Sequence, residues 1–389
     1  MADIPINQRR LRLGMIGGGR GSFIGAVHRM AARLDDRYEF LAGALSSDPD
    51  RARASGADLR LDPARSYPDI DALIAGERAR PDPVDVVAIV TPNHLHHRAA
   101  RACLDAGFHV ICDKPLTTTL VDAEDLCTAA ERHKRILAVT YNYSGYPLVR
   151  AARELVAAGE LGRIHRVNVE YLQDWLLKPR EADGNKQAVW RTDPAQSGAA
   201  GCLGDIGTHA FQLAEFVTGL QVTRLAGRLD TIVPGRRVDD DAQAVLEFDN
   251  GAGGTLWASQ VATGHENGLR LRVYGDRAAL EWHQEFPNEL HVRPFGEPPR
   301  RLTRGSTAAG ERAAAATRIP PGHPEGYLEA FAQLYRDIAD RITAHDLGRQ
   351  APPDALLVPT GKDGLRGIRF VQTVLDSHDS SGAWLDLPP

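Results

Sequence analysis

The sequence predicts an α/β protein in two parts: a doubly wound parallel sheet first, then an α/β domain built on a large open, mostly antiparallel sheet. Three observations predict it. The first third alternates short β-rich runs with helix-like stretches, as parallel strands joined by crossovers require. A glycine-rich turn, Gly17-Gly18-Gly19, follows the first apolar run. Between about residues 222 and 293, strand-like runs succeed one another with turn signals such as Asp249-Asn250-Gly251 and Gly275-Asp276, and helices are scarce.

Taken in order, residues 11–16, 38–45, 84–90, 109–112 and 136–140 read as strands, with helices over 27–34, 97–106 and 120–133 between them. This half is Rossmann-like, and the pattern changes after Tyr141, which sets the expected domains at 1–141 and 142–389. Beyond that point, residues 147–158 read as a helix ended by Gly159 and Gly162, and 164–175 as a long strand. A helix carrying Asp205 and His209 follows. Strands are expected over 242–248, 254–260, 269–274 and 279–283. Residues 298–321, rich in Arg, Ala, Gly and Pro, read as a surface loop. Helices over 324–344 and 361–378 then pack back on the rest.

With 389 residues, 43% hydrophobic and 25% charged, the chain is long enough for two cores and has the composition of a soluble globular protein. Its net charge of −5 shows no dominant basic cluster, so no nucleic-acid partner is expected. The first ten residues hold no apolar leader core, and no segment approaches the roughly 20 apolar residues a membrane span needs. The reading is cytoplasmic, with no membrane partner. Cys103, Cys112, Cys127 and Cys202 lack metal-like spacing and read as free thiols, Cys112 as core packing.

The turn at Gly17-Gly18-Gly19 suits a dinucleotide fingerprint in which Gly17 makes the tight turn and Gly19 lets the backbone approach a pyrophosphate, with Arg20 beside it. A regular third glycine would fall at Ser22; an insertion would move its helix-packing role to Gly25. The second strand leads into Ser46-Ser47-Asp48, not into an immediate acid. Ser46 with Arg51 suits a 2′-phosphate and Asp48 suits ribose hydroxyls, so NAD and NADP both stay open, and helix capping would explain the same residues. Thr91-Pro92-Asn93-His94 lies at the carboxyl end of the third strand, where doubly wound folds bind ligands. Asn93 is a fair cofactor contact. The cluster His94, His96, His97 has no local carboxylate or cysteine partners, so the histidines read as cofactor-lining or solvated and no metal is expected.

Asp205 and His209 stand four residues apart, one helical face, as a carboxylate and imidazole pair suited to acid/base work. Tyr143, Gln173, Asp174, Lys186, Trp190 and Arg191 are the candidates for gripping a sugar ring, and the cation beside Trp190 suits an acidic or hydroxyl-rich substrate. The run Asp239 to Asp241 reads as a solvated approach to a strand, not as a metal site.

Taken together and in this order, the glycine turn, Thr91-Pro92-Asn93-His94, Asp113-Lys114-Pro115 and Gly204-Asp205-Ile206-Gly207-Thr208-His209 resemble the glucose-fructose oxidoreductase, inositol dehydrogenase and rhizopine catabolism family, Gfo/Idh/MocA, over nearly the whole chain. Asp113 stands where that family more often has Glu. The resemblance implies a Rossmann domain, a C-terminal α/β domain whose open sheet often forms an oligomer interface, and NAD(P)-linked oxidation or reduction of sugars and polyols. It also implies that Lys114, Asp205 and His209 are the catalytic residues, and that Thr91, Pro92, Asn93, His96 and Lys114 line the cofactor. His209, near a helix N-terminus that disfavours imidazolium, would accept the hydroxyl proton; Lys114 would hydrogen-bond the reacting oxygen; Asp205 would hold a substrate hydroxyl or orient His209. The expected function is a dehydrogenase of a sugar, glycoside or cyclic polyol, and a homo-oligomer, dimer or tetramer. Two alternatives remain: an NAD-dependent glycosidase acting by transient oxidation at C3 and elimination, and a non-catalytic sugar or nucleotide sensor.

Overall fold

The computed structural model describes residues 9–389, so most of the N-terminal stretch expected to hold no apolar leader core lies outside the described residues. The chain divides into two compact units, residues 1–145 with 327–365, and 146–326 with 366–389.

In the first unit β1 (Leu11–Gly17), β2 (Tyr38–Ala44), β3 (Val86–Val90), β4 (His109–Cys112) and β5 (Leu137–Val139) form a five-stranded parallel sheet in the order β2-β1-β3-β4-β5. Every residue of β3 is buried, as expected of a central strand covered on both faces. Because β2 lies on one side of β1 and β3 on the other, the strand order reverses at the carboxyl end of β1, the place where such sheets bind ligands.

The first helix, Phe23–Leu34, begins four residues before the sequence periodicity indicates, because Ser22 caps it by accepting the Gly25 N–H. Two helices that the apolar period does not announce, Pro49–Asp58 and Ile70–Arg78, start at the side-chain caps Asp48 and Asp69. Helices His96–Asp105 and Leu120–Arg132 match their sequence reading to within a residue. The helix Tyr327–Asp346 returns to this unit: Phe331, Tyr335, Ile338 and Ile342 join Val27 and Ala31 in its core, and Tyr38 donates to the Tyr335 carbonyl at 2.7 Å.

The second unit holds a nine-stranded sheet in the order β13-β12-β11-β10-β6-β9-β8-β7-β14. Its strands are β6 (Ile164–Leu172), β7 (Val222–Asp230), β8 (Asp241–Phe248), β9 (Gly253–Ser259), β10 (Gly268–Gly275), β11 (Ala278–His283), β12 (Glu289–Pro294), β13 (Arg300–Thr303) and the two-residue β14 (Leu385–Asp386). All neighbours are antiparallel except β6 and β9. Helix Thr208–Thr218 covers one face against β6, β9 and β10, and Phe211 stacks on Phe370 at 4.2 Å. On the other face Gln243, Val245, Thr255 and Trp257 point to solvent, so the alternation along β8 and β9 is that of a sheet open on one side.

Two sequence expectations are corrected here. Residues 298–321 are not a plain surface loop: they carry β13, a turn of 3-10 helix at Thr307–Ala309 and the helix Glu311–Ala316. Their anchor is Arg304, buried against Glu325 at 2.9 Å, which also donates to the carbonyls of Ile319, Pro320 and His323. An arginine-rich composition suggests solvent, but a planar guanidinium with this many acceptors can be taken inside. The acidic run is not solvated either, since Asp239, Asp240 and Asp241 are all buried. Asp240 accepts the N–H groups of Ile232 and Val233 and pairs with Arg236 at 3.0 Å, while Asp241 accepts the Trp257 indole N–H.

Candidate active site

In the first unit the glycine turn has the shape a pyrophosphate needs. Gly17 and Gly18 have φ of 83° and 76°, in the left-handed region where side chains are strained. Gly25 sits in the following helix so close to the turn that a Cβ on it would lie 2.4 Å from the Gly18 Cα. The displaced third glycine therefore has the helix-packing place. Gly19 meets the exit of β2: its N–H donates to the Leu45 carbonyl at 3.0 Å, and a Cβ there would lie 2.5 Å from that oxygen. Arg20 forms a two-pronged pair with Asp58, and its backbone N–H donates to Ser55. After β2, Ser46 accepts the Asp48 N–H, and Asp48 accepts the Arg51 N–H as the cap of Pro49–Asp58. Two left-handed glycine backbones at Gly17 and Gly18, followed by the helix start at Phe23, fit an NAD pyrophosphate.

Lys114 follows β4 beside a cis bond to Pro115. Its backbone N–H donates to Asp113, whose same oxygen accepts the Thr140 hydroxyl at 2.8 Å. His96 lies fully under this turn, with one ring nitrogen 2.9 Å from the Pro115 carbonyl and the other 3.0 Å from the Thr91 carbonyl. Burial lowers its pKa, and in the neutral ring one N–H donates to one of these oxygens. His96 thus ties the ends of β3 and β4 together. Asn93 is buried near it, whereas His94 is exposed and His97 turns to Asp125 at 2.8 Å, so the three histidines do not converge.

His109, His345 and Asp346 do cluster, but not as a metal site. The His109 Nδ1 accepts the Ile136 N–H, which leaves the ring proton on Nε2, pointing at Asp346, where a metal would need a lone pair. The four cysteines are free, and burial raises the Cys112 thiol well above its ordinary value, consistent with packing.

In the second unit the residues Gly204 to His209 do not lie on an ordinary helix. Leu203–Gly207 forms a π-helical turn that runs directly into Thr208–Thr218, and Cys202, Gly207 and Thr208 all have right-handed helical backbone angles. The helical path therefore begins near Cys202. His209 is not at the free N-terminus the sequence suggested, because the π turn extends the helix upstream and moves the dipole's positive end away from it.

Asp205, inside the π turn, accepts from the Arg191 Nε at 3.1 Å and from the Gln260 Nε2 at 2.8 Å. Arg191 also donates to the carbonyl and side-chain oxygens of Gln187 and lies 4.2 Å over the Trp190 ring and 5.9 Å from that of Trp175. Its charge is thus already matched by a carboxylate. His209 is buried with its ring 6.2 Å from that of Tyr171. Tyr171 and Gln173 both donate to the Asn267 side-chain oxygen at 2.8 Å, and Trp175 donates to Gln173 at 3.0 Å.

Of the sequence candidates, Gln173, Trp190, Arg191, Asp205 and His209 thus belong to one polar, aromatic-bordered cluster. Asp174 faces away to accept the Gly264 N–H, and Lys186 is exposed in the first turn of Lys186–Arg191. Tyr143 and Lys114 belong to the first unit, Tyr143 buried in the turn Asn142–Gly145. Sequence reasoning passed over Tyr171, Gln260 and Asn267. The first hides as an inward residue of β6, and the others follow β9 and precede β10 without any local motif.

Fold and family together define an NAD-binding oxidoreductase. Residues 11–141 match the oxidoreductase family with NAD-binding Rossmann fold, and residues 149–281 match the GFO/IDH/MocA C-terminal domain. The uncharacterized oxidoreductase YfiI of Bacillus subtilis is 32% identical over 384 residues, 98% of each chain. An oxidoreductase structure from Sinorhizobium meliloti is 48% identical, with a TM-score of 0.88 over 97% of this chain and 100% of that one. An inositol dehydrogenase homolog from Azotobacter vinelandii, solved with NADH and myo-inositol, is 38% identical, with a TM-score of 0.90 over 97% and 98%. The chain belongs to the GFO/IDH/MocA oxidoreductase family, and its first unit is an NAD-binding Rossmann fold. Among the described residues no helix is long and apolar enough to cross a membrane.

Proposed function

We propose that the protein oxidises a secondary hydroxyl of a sugar or cyclic polyol, with NAD as the hydride acceptor. The observation that carries the reading is the cluster around Asp205: a carboxylate held by Gln260 and Arg191, a buried imidazole near it in sequence, and the faces of Trp175 and Trp190 at its border. Polar groups beside aromatic faces suit a ring bearing many hydroxyls. The pairing of Arg191 with Asp205 favours a neutral polyol over an acidic sugar, since the cation's charge is already met. The relative solved with myo-inositol agrees with that substrate class.

His209 takes the hydroxyl proton, and Asp205 holds a substrate hydroxyl in register. Lys114 donates a hydrogen bond to the reacting oxygen and stabilises the negative charge that grows on it. Gly17, Gly19, Arg20, Thr91, Pro92, Asn93 and His96 hold or frame the dinucleotide, with Ser46 and Arg51 nearest its adenosine ribose. Asp48 is spent as a helix cap, so both the 2′-hydroxyl of NAD and the 2′-phosphate of NADP are to be assayed. When bound, NAD supplies the electrophilic carbon that receives the hydride. The open sheet face, with Val245 and Trp257 exposed beside the paired charges Arg270 with Glu281 and Arg272 with Glu170, is where a second copy of the chain would dock.

The test is absorbance at 340 nm with NAD or NADP and a panel of myo-inositol, glucose, anhydrosugars and aryl glycosides, with aglycone release followed in parallel. Stoichiometric reduced nucleotide supports the dehydrogenase. Aglycone release without net reduction would replace it with a redox-neutral glycosidase, and silence in both channels would favour the sensor.

A further inference from the structure

The buried carboxylate of Asp239 grips the start of the helix that carries Asp205 and His209. A helix leaves its first N–H groups without intrahelical partners, and a buried start must find them elsewhere. Here one residue from the approach to β8 accepts three N–H groups at this start. The two carboxylate oxygens of Asp239 accept the N–H groups of Gly201 at 2.6 Å and Leu203 at 2.8 Å, and its carbonyl accepts that of Cys202 at 3.0 Å. The Cys202 thiol donates to the same carboxylate at 3.1 Å. The approach is so close that a Cβ on Gly201 would lie 2.1 Å from the Asp239 carbonyl oxygen.

From this clamp the chain enters the π turn, with the Asp205 N–H donating to the Gly201 carbonyl at 2.9 Å. The neighbouring Asp240 carbonyl accepts the N–H of Gln260, whose side chain reaches Asp205. One backbone segment, 239–240, therefore holds both the helix start and the residue that grips Asp205. A π turn is a rare departure from the ordinary helical ladder, found mostly as a single turn and frequently at functional sites, and contacts from outside the helix bias where it falls.

We propose that Asp239 is a positioning residue for the oxidation: it sets the register of the π turn and so the aim of Asp205 and His209. The proposal rests on the catalytic reading of those two residues. Asp239→Asn tests it, because the amide has one acceptor where two are used and turns its NH2 toward a backbone N–H. In the NAD-loaded enzyme with the best polyol of the panel, kcat falls roughly 10-fold or more while KM for NAD stays within about twofold. Hydrogen exchange followed by mass spectrometry shows faster exchange confined to amides 201–207. A residue that only adds stability would lower the melting temperature and leave kcat per folded enzyme unchanged.

Unchanged kcat in Asp239→Asn, or unchanged exchange over 201–207, overturns the proposal. If the wild type oxidises nothing in the panel, the catalytic reading fails, and the exchange comparison still decides whether the clamp exists. Should Asp239→Asn not fold, wild-type exchange decides: Gly201 and Leu203 amides must be as protected as the core of β9, and rapid exchange there refutes the clamp.

Discussion

Arg191 donates its Nε–H to Asp205 across 3.1 Å while its guanidinium lies over the ring of Trp190 at 4.2 Å. The pair has two consequences for the site: it holds the carboxylate still, and it removes the free cation that an acidic substrate would seek. Arg191→Ala is expected to lower kcat/KM for a polyol roughly tenfold, equal to about 1.4 kcal/mol. Arg191→Lys should not restore it, since an ammonium lacks the planar fork that spans Asp205 and Gln187. Steady-state kinetics check both, and full activity in Arg191→Ala would reduce the pair to a structural contact.

His209→Ala and Lys114→Ala are each expected to cut turnover by roughly 10² or more and to leave nucleotide affinity nearly intact. NADH fluorescence titration beside the turnover assay separates the two effects. Normal turnover in either variant would refute its assigned role.

Gly25→Ala places a methyl group 2.4 Å from the Gly18 Cα, with the Gly18 carbonyl carbon and oxygen also within 3.0 Å. Either the helix or the glycine turn must move, at a cost of about 1–3 kcal/mol. The expected result is a lower melting temperature together with NADH binding weakened roughly tenfold. Wild-type NADH affinity would mean that the turn yields without harm.

His28 is buried with its Nδ1 2.8 Å from the Tyr335 hydroxyl, and burial pushes its pKa down from 6.5 to about 4. Its folded value is below its unfolded one, so the unfolded state binds the proton first and stability falls as the pH drops. The contribution is fully present above pH 6.5, is lost between about 6.5 and 4, and changes no further below; the loss is about 3 kcal/mol. Urea unfolding of wild type and His28→Asn at pH 7 and pH 4.5 measures it. The variant should lose less stability between the two, and parallel losses would place the acid sensitivity elsewhere.

Much of the Rossmann half was legible because its signals are local. A strand, a glycine turn and a helix follow one another within about 25 residues, and the positive φ at Gly17 and Gly18 is a property that only glycine tolerates freely. The helices Pro49–Asp58 and Ile70–Arg78 were not legible by apolar period, since few of their residues are buried, although the caps Asp48 and Asp69 mark both starts.

By itself the sequence determined the order of elements, the open sheet expected from period-two strands, and which residue types stand at the candidate site, because periodicity and turn chemistry act over a few neighbours. Only the tertiary structure decided which charges are buried and what they hold. Asp48 and Asp239 are both acids at a strand boundary, yet Asp48 caps its own helix in solvent and Asp239 is enclosed, clamping a helix start 36 residues upstream of it at Leu203. Likewise Gln260 meets Asp205 from 55 residues away. Such partners are chosen by the fold of the sheet, whose strand order no local pattern encodes.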